Sequence, residues 1–211
     1  MTDAVSILNG VSPAWFLIAA GLLAWASPRS ELRKALMMLG PIGALAAWFA
    51  TGETGVYGVL DLGPVVLETF RLDGLSRVWA LVFILISFIN GVYALHERNR
   101  MTEGAALIYA GSAVGAGFAG DMLTLFFFYE ALSLATYPLV AHKGDAKAKR
   151  GASIYLGILL ATSIGLFLPG VFAVYALTGT TDFTVGGVMS GVGPVAGSVL
   201  LVLFAFGIGK A

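Results

Sequence analysis

The chain has 211 residues, 58% hydrophobic and only 11% charged, and its twelve basic and twelve acidic side chains cancel at neutral pH. A soluble domain carries about 25% charged residues, so the composition points to a membrane protein, and the zero net charge argues against a nucleic-acid partner. There is no cysteine to build a disulfide, a thiolate metal site or an iron–sulfur cluster, and two histidines, His96 and His142, are too few for a haem or a histidine-rich metal site.

A helical span takes about 20 mostly apolar residues, and seven segments meet or approach that length. In chain order they are Val11–Ser27, Ala35–Thr51, Leu75–Leu95, Ala105–Gly120, Met122–Ala141, Ser153–Leu177 and Val195–Ala211, the first and fourth being short. The N-terminus lacks the basic stretch of a secretory signal, so the first span is expected to be retained. Between the second and third spans, residues 55–72 (GVYGVLDLGPVVLETFRL) carry β-branched residues, some alternation and a Gly-Pro turn signal, which predicts a short external β-hairpin. Asp73 and Ser76 are both good N-cap types for the third helix. Gly111, Gly115 and Gly117 in the fourth span read as a helix-packing face, and no nucleotide-binding motif occurs. The fold class is thus an all-α integral membrane protein of about seven transmembrane helices with a small external hairpin.

Loop charge alternates. Arg29, Arg33 and Lys34 follow the first span, Arg98 and Arg100 the third, and Lys143, Lys147, Lys149 and Arg150 the fifth. The opposite loops hold only Arg71 and Arg77, beside Glu53, Asp61, Glu68, Asp73, Asp121 and Asp182. The basic side is expected in the cytoplasm, with the N-terminus outside a multi-pass cell-membrane protein.

Against this apolar background Glu130 stands out, in the middle of the fifth span. A carboxylate at bilayer depth costs about 2.5–3.5 kcal/mol on insertion scales, which makes an intramembrane acid a functional hypothesis by default. Ser133 and Tyr137 follow at helical spacing on the same face, flanked by Tyr129 and Thr136, so their hydroxyls can hydrogen-bond a carboxyl and hold water. Phe126, Phe127 and Phe128 are expected to form a dry collar, and Pro138 to kink the helix beyond Glu130. The plainer reading is a structural acid bonded to a neighbouring helix. Lys210, beside Gly207 and Gly209 in the last span, reads equally as a buried base at a helix break and as a lysine snorkelling to the interface. Asp121 reads as the cap of the fifth span. His142 and Lys143 read first as interfacial anchors and second as a point of proton intake. No cofactor or bound metal is expected in this chain.

Five stretches together resemble a known family. Residues 119–141 (AGDMLTLFFFYEALSLATYPLVA) look like the fifth helix of the antiporter-like membrane subunits found in Mrp-type sodium/proton antiporters, respiratory complex I and membrane-bound hydrogenases. Residues 70–77 (FRLDGLSR) resemble the motif opening their third helix. Residues 149–170 (KRGASIYLGILLATSIGLFLPG) and 176–183 (ALTGTTDF) resemble their sixth helix and the loop after it. Residues 206–211 (FGIGKA) resemble the start of their discontinuous seventh helix. The resemblance implies that Glu130 and Lys210 form the essential acid–base pair of proton translocation; Tyr129, Ser133, Tyr137, His142 and Lys143 are expected to support it by their positions on and beyond the Glu130 face. It implies an N-terminal half of such a subunit: residues 1–74 as two helices plus the hairpin, and residues 75–211 as helices three to seven, the beginning of the ion-translocating repeat.

The implied function is proton and cation translocation, with Na+ the expected cation, within a multisubunit monovalent cation/proton antiporter whose other membrane subunits are the partners. The alternative is a proton-pumping subunit of a complex I-like NADH:quinone oxidoreductase or a membrane-bound hydrogenase, where flavin, clusters and quinone would belong to partner subunits. A third reading, of another class, is a non-transporting assembly scaffold.

Overall fold

Helices form in every segment where the sequence predicts a span. The computed structural model describes residues 11–63, 65–96 and 99–208. The elements are α1 (Pro13–Ala26), α2 (Ser30–Ala50), β1 (Gly55–Asp61), β2 (Val66–Leu72), α3 (Gly74–Tyr93) with a 3-10 turn at Ala94–His96, α4 (Arg100–Gly117), α5 (Met122–Val140), α6 (Ala146–Thr162), α7 (Leu168–Thr178) and α8 (Pro194–Ile208). A π turn at Ser163–Phe167 joins α6 to α7, giving one apolar run of 33 residues. This run, α2, α5, and α3 with its 3-10 turn are each long and apolar enough to cross a bilayer, while α1 and α8 are shorter apolar helices.

Three helices start earlier than their hydrophobic segments. Asp145 accepts from Ala148 N at 2.6 Å and caps α6 at Ala146, not Ser153. Asn99 caps α4 at Arg100, not Ala105, and α2 begins at Ser30, not Ala35. Arg33, Lys34, Arg100, Lys147, Lys149 and Arg150, expected in loops, therefore sit in or near the first turns of helices. The helix dipole disfavours cations there, so their placement follows the bilayer end and not helix polarity.

The hairpin is present. β1 and β2 pair antiparallel from Gly55↔Leu72 to Asp61↔Val66, with an irregularity around Gly58. At its turn Gly63 takes φ +87 and donates its N–H to Asp61 Oδ1 at 2.8 Å. β2 buries Leu67, Phe70 and Leu72, and Phe70 meets Phe118 edge-on with ring centroids 4.9 Å apart. Both cap candidates before α3 are used, since Asp73 accepts from Ser76 N while Ser76 Oγ accepts from Asp73 N.

Small residues set the helix contacts. A Cβ on Gly21 of α1 would lie 2.8 Å from the Gly104 carbonyl of α4, and one on Gly104 would lie 2.8 Å from that of Gly21. Gly111 packs on Ala14 and Ile18, and Gly115 under the Phe128 ring, whereas Gly117 faces open space. The expected glycine face is therefore real at two of its three positions.

Two ends of the bundle are distinct. At one, Arg33 of α2 and Glu103 of α4 form a buried ion pair, and Arg33 also donates to the carbonyls of Ser27 and Pro28. The same end holds the contact between Thr102 and His142, 3.1 Å. At the other, the hairpin meets the α4–α5 corner and residues 181–183.

Candidate functional site

α5 is positioned from below by its cap. Asp121, fully buried, accepts from Leu123 N, Thr124 N and Thr124 Oγ1, and its second oxygen also accepts from Glu68 N at 2.7 Å. The cap reading of Asp121 holds, and the carboxylate additionally fastens the hairpin.

Glu130 lies half-buried in the middle of α5, with Ser133 buried one turn on and Tyr137 half-buried two turns on. The shared face is present, but Ser133 Oγ donates to the Tyr129 carbonyl at 3.0 Å and Thr136 Oγ1 to that of Leu132 at 2.8 Å. These hydroxyls bond back to their own helix, a common habit of Ser and Thr within helices. The helix continues through Pro138 to Val140.

The three phenylalanines do not form a collar. Consecutive helical residues point about 100° apart, and here they diverge. Phe126 packs on Phe167 at 6.0 Å, Phe128 on Trp15 at 5.9 Å, and Phe127 is 54% exposed.

Tyr129 links α5 to α8. Its hydroxyl donates to the Ile208 carbonyl at 2.5 Å. Around this bond Phe167 of the π turn meets Tyr129 at 6.4 Å and Phe204 at 5.7 Å. Gly207 permits the approach, because a Cβ there would lie 2.5 Å from the Phe167 nitrogen. Lys210 lies outside the described residues, two positions beyond Ile208 in the sequence.

Two cavities flank α5. One of about 830 Å³ is lined by Leu125, Tyr129 and Leu132 together with Ser87, Asn90 and Tyr109. The other, about 740 Å³, is lined by Leu134, Tyr137 and Pro138 and reaches Asn99, His142 and Lys149 at the basic end. His142 stands twelve residues beyond Glu130, roughly 18 Å along a helix. Lys143 pairs with Asp145 at 3.5 Å on the surface. The structure thus brings Tyr129, Ser133 and Tyr137 near Glu130 and leaves His142 and Lys143 at the helix end. Among the described residues no group of three or more His, Asp or Glu side chains is placed to hold a metal ion.

Sequence reasoning missed Glu103, whose lone acid at the head of α4 was its only signal, and the π turn, for which the residues give no signal.

Comparisons with known proteins agree with the sequence reading. Residues 119–209 match the family described as NADH:quinone oxidoreductase/Mrp antiporter, transmembrane region. F(420)H(2) dehydrogenase subunit N of Methanosarcina mazei is 30% identical over an alignment of 220 positions, gaps included, that covers 94% of this chain and 43% of that protein. Among solved structures, the Mrp complex from Dietzia superposes with a TM-score of 0.77 at 21% identity, covering 98% of this chain and 23% of that one. Respiratory complex I from Thermus thermophilus gives 0.75 at 23% identity, covering 92% and 42%. The chain spans less than half the length of these relatives. The resemblance to antiporter-like membrane subunits is borne out, as is a helical membrane fold carrying a two-stranded hairpin.

Proposed function

We propose that this chain is a proton-translocating membrane subunit, or the N-terminal part of one, in a multisubunit monovalent cation/proton antiporter. Glu130 is the site carboxylate and Lys210 its coupled base. The observation that carries this reading is the Tyr129–Ile208 hydrogen bond, which ties the helix holding Glu130 to the helix leading to Lys210. An acid in an apolar span is retained against an insertion penalty, and in this reading the Lys210 charge approaches and withdraws, so that Glu130 alternately releases and takes up a proton. That alternation moves a proton. Ser133 and Tyr137 shape the Glu130 face, Tyr129 fixes the spacing of the helices, and His142 and Lys143 anchor the basic end or admit protons there.

In this reading residues 75–211 begin the ion-translocating unit and residues 1–74 form its flank. The basic end faces the cytoplasm, Na+ is the exchanged cation, and other membrane subunits complete the path. The test is Glu130→Gln in the assembled complex. Cation-dependent proton flux is expected to vanish with assembly intact, and Glu130→Asp to keep part of it. Normal flux in the Gln variant would overturn both the site and the function, and would leave the scaffold reading in its place.

A second reading, a redox-driven proton pump, is favoured by the 30% identity to a dehydrogenase subunit along 94% of the chain. It uses the same residues. Redox subunits with iron–sulfur clusters copurifying with the chain would select it over the antiporter.

A further inference from the structure

The end of the bundle opposite the buried Arg33 is held by a junction of three backbone segments. β2 of the hairpin lies against the α4–α5 corner: Glu68 N donates to Asp121 Oδ2 at 2.7 Å, Gly120 N to the Glu68 carbonyl at 2.9 Å and Arg71 N to that of Phe118 at 2.8 Å. Residues 181–183 lie on the other side of the corner. Met122 N donates to the Thr181 carbonyl at 2.9 Å and Phe183 N to that of Gly120 at 3.0 Å. Arg71 spans all three segments, donating through Nη1 to the Phe183 carbonyl at 2.6 Å and the Gly120 carbonyl at 3.4 Å.

The Glu68 side chain is folded into this junction. A Cβ on Gly120 would lie 2.2 Å from Glu68 Oε2, so the carboxyl occupies space that only a glycine leaves. Oε2 is buried and has no hydrogen-bond partner among the described residues. Arg71 Nη1 stands 3.8 Å away, beyond hydrogen-bond reach and already bonded to two carbonyls. The charged groups bearing on Glu68 are Asp182 from the 181–183 segment, Arg71 from its own strand and Asp121 from the corner. Two of these three are acids. Asp121 already accepts four donors, whereas Glu68 Oε2 accepts none among the described residues, so Glu68 is the carboxyl whose oxygen stands open in the junction.

We propose that Glu68 is a proton-operated latch: its neutral form holds the hairpin against the α4–α5 corner and residues 181–183, and its ionised form loosens all three. Burial first, then repulsion from Asp182, raises the Glu68 pKa above the ordinary glutamate value, with Arg71 opposing. The docked junction therefore binds the proton more tightly than the open one. Docking is strongest below the ordinary glutamate pKa, weakens as pH rises toward the docked pKa, and is constant above it. The corner it grips is the cap of α5, so the latch acts on the helix that carries Glu130 roughly 13 Å further along.

The readout is amide hydrogen exchange of the full chain in lipid nanodiscs, corrected for the intrinsic pH dependence of exchange. Protection of the Glu68, Arg71, Gly120, Met122 and Phe183 amides is expected to fall by about tenfold per pH unit across that window and then level off. Glu68→Gln should stay protected at every pH. Asp182→Asn should show a smaller total fall that ends at lower pH, and it decides the matter should the Gln variant not fold. Flat protection in the natural chain, a persistent fall in Glu68→Gln, or an unchanged fall in Asp182→Asn overturns the latch. None of these outcomes depends on ion flux, so the latch and the Glu130 reading fail separately.

Discussion

Tyr129 and Ile208 are 79 residues apart in sequence and joined by one 2.5 Å hydrogen bond, hydroxyl to carbonyl. The bond sits next to Glu130 on one helix and at the last described residue of the other.

Tyr129→Phe keeps the ring against Phe167 and removes the tie. A net hydrogen bond contributes about 0.5–1.5 kcal/mol, so proton flux is expected to drop by about fivefold. The pH profile of flux should shift because the helix carrying Glu130 is no longer tied to α8. Tyr129→Ala, which also loses ring packing, should fall further. An unshifted profile in the Phe variant would remove Tyr129 from any positioning role.

Lys210→Ala in the assembled complex should abolish cation-dependent proton flux with assembly intact, because the proposed pair loses its positive member. Lys210→Arg, which keeps the charge, should retain part of the flux. Normal flux in the Ala variant would refute the coupling while leaving Glu130→Gln to judge the site.

Gly207→Ala forces a methyl to within 2.5 Å of the Phe167 backbone, which cannot step aside as a side chain can. Overpacking of this kind costs about 1–3 kcal/mol. The melting temperature and the flux should both fall, and Phe167→Ala should not restore them, because the clash is with main chain.

Arg33→Met alone leaves the Glu103 carboxylate buried without its counter-ion, and a loss of about 3–5 kcal/mol is expected. The double variant Arg33→Met with Glu103→Leu replaces charge by apolar volume and should recover most of it. Thermal unfolding of the purified protein in nanodiscs decides the point, and equal losses in single and double variants would contradict it.

Single cysteines at Ala146 and Val185 should react with an impermeant reagent from opposite sides of the membrane. Both positions are exposed and lie toward the basic end and the hairpin end respectively, whereas nearby Thr181 is only 6% exposed. Labelling of both from outside intact cells would contradict the proposed orientation.

What the residues announce beforehand is local chemistry. Asp73, Ser76 and Asp121 are read correctly as caps because capping is settled within one turn of helix. The hairpin is legible because its turn and its β-branched residues lie within 18 positions. Helix starts are misread where Arg33, Lys34, Lys147 and Lys149 interrupt the hydrophobicity, although Asp145 and Asn99 were cap types in view. The phenylalanine collar fails on helix geometry alone. Pairings between distant segments are invisible: Arg33 with Glu103, Tyr129 with Ile208, and Arg71 with Phe183 depend on which helices become neighbours. The face of Glu130, Ser133 and Tyr137 is legible as a face, but the direction of its hydroxyl protons is not.

The buried Arg33–Glu103 pair joins positions 70 residues apart, and this bears on how the chain is made. Arg33 emerges from the ribosome first. At about 5–20 residues per second, several seconds pass before Glu103 follows. Until then α2 can enter the bilayer only as far as Arg33 can remain hydrated. The hairpin and α3 are made in the interval. The ion pair can therefore close only once the first four helices have been synthesised, and until then Arg33 keeps to the hydrated basic end of the bundle.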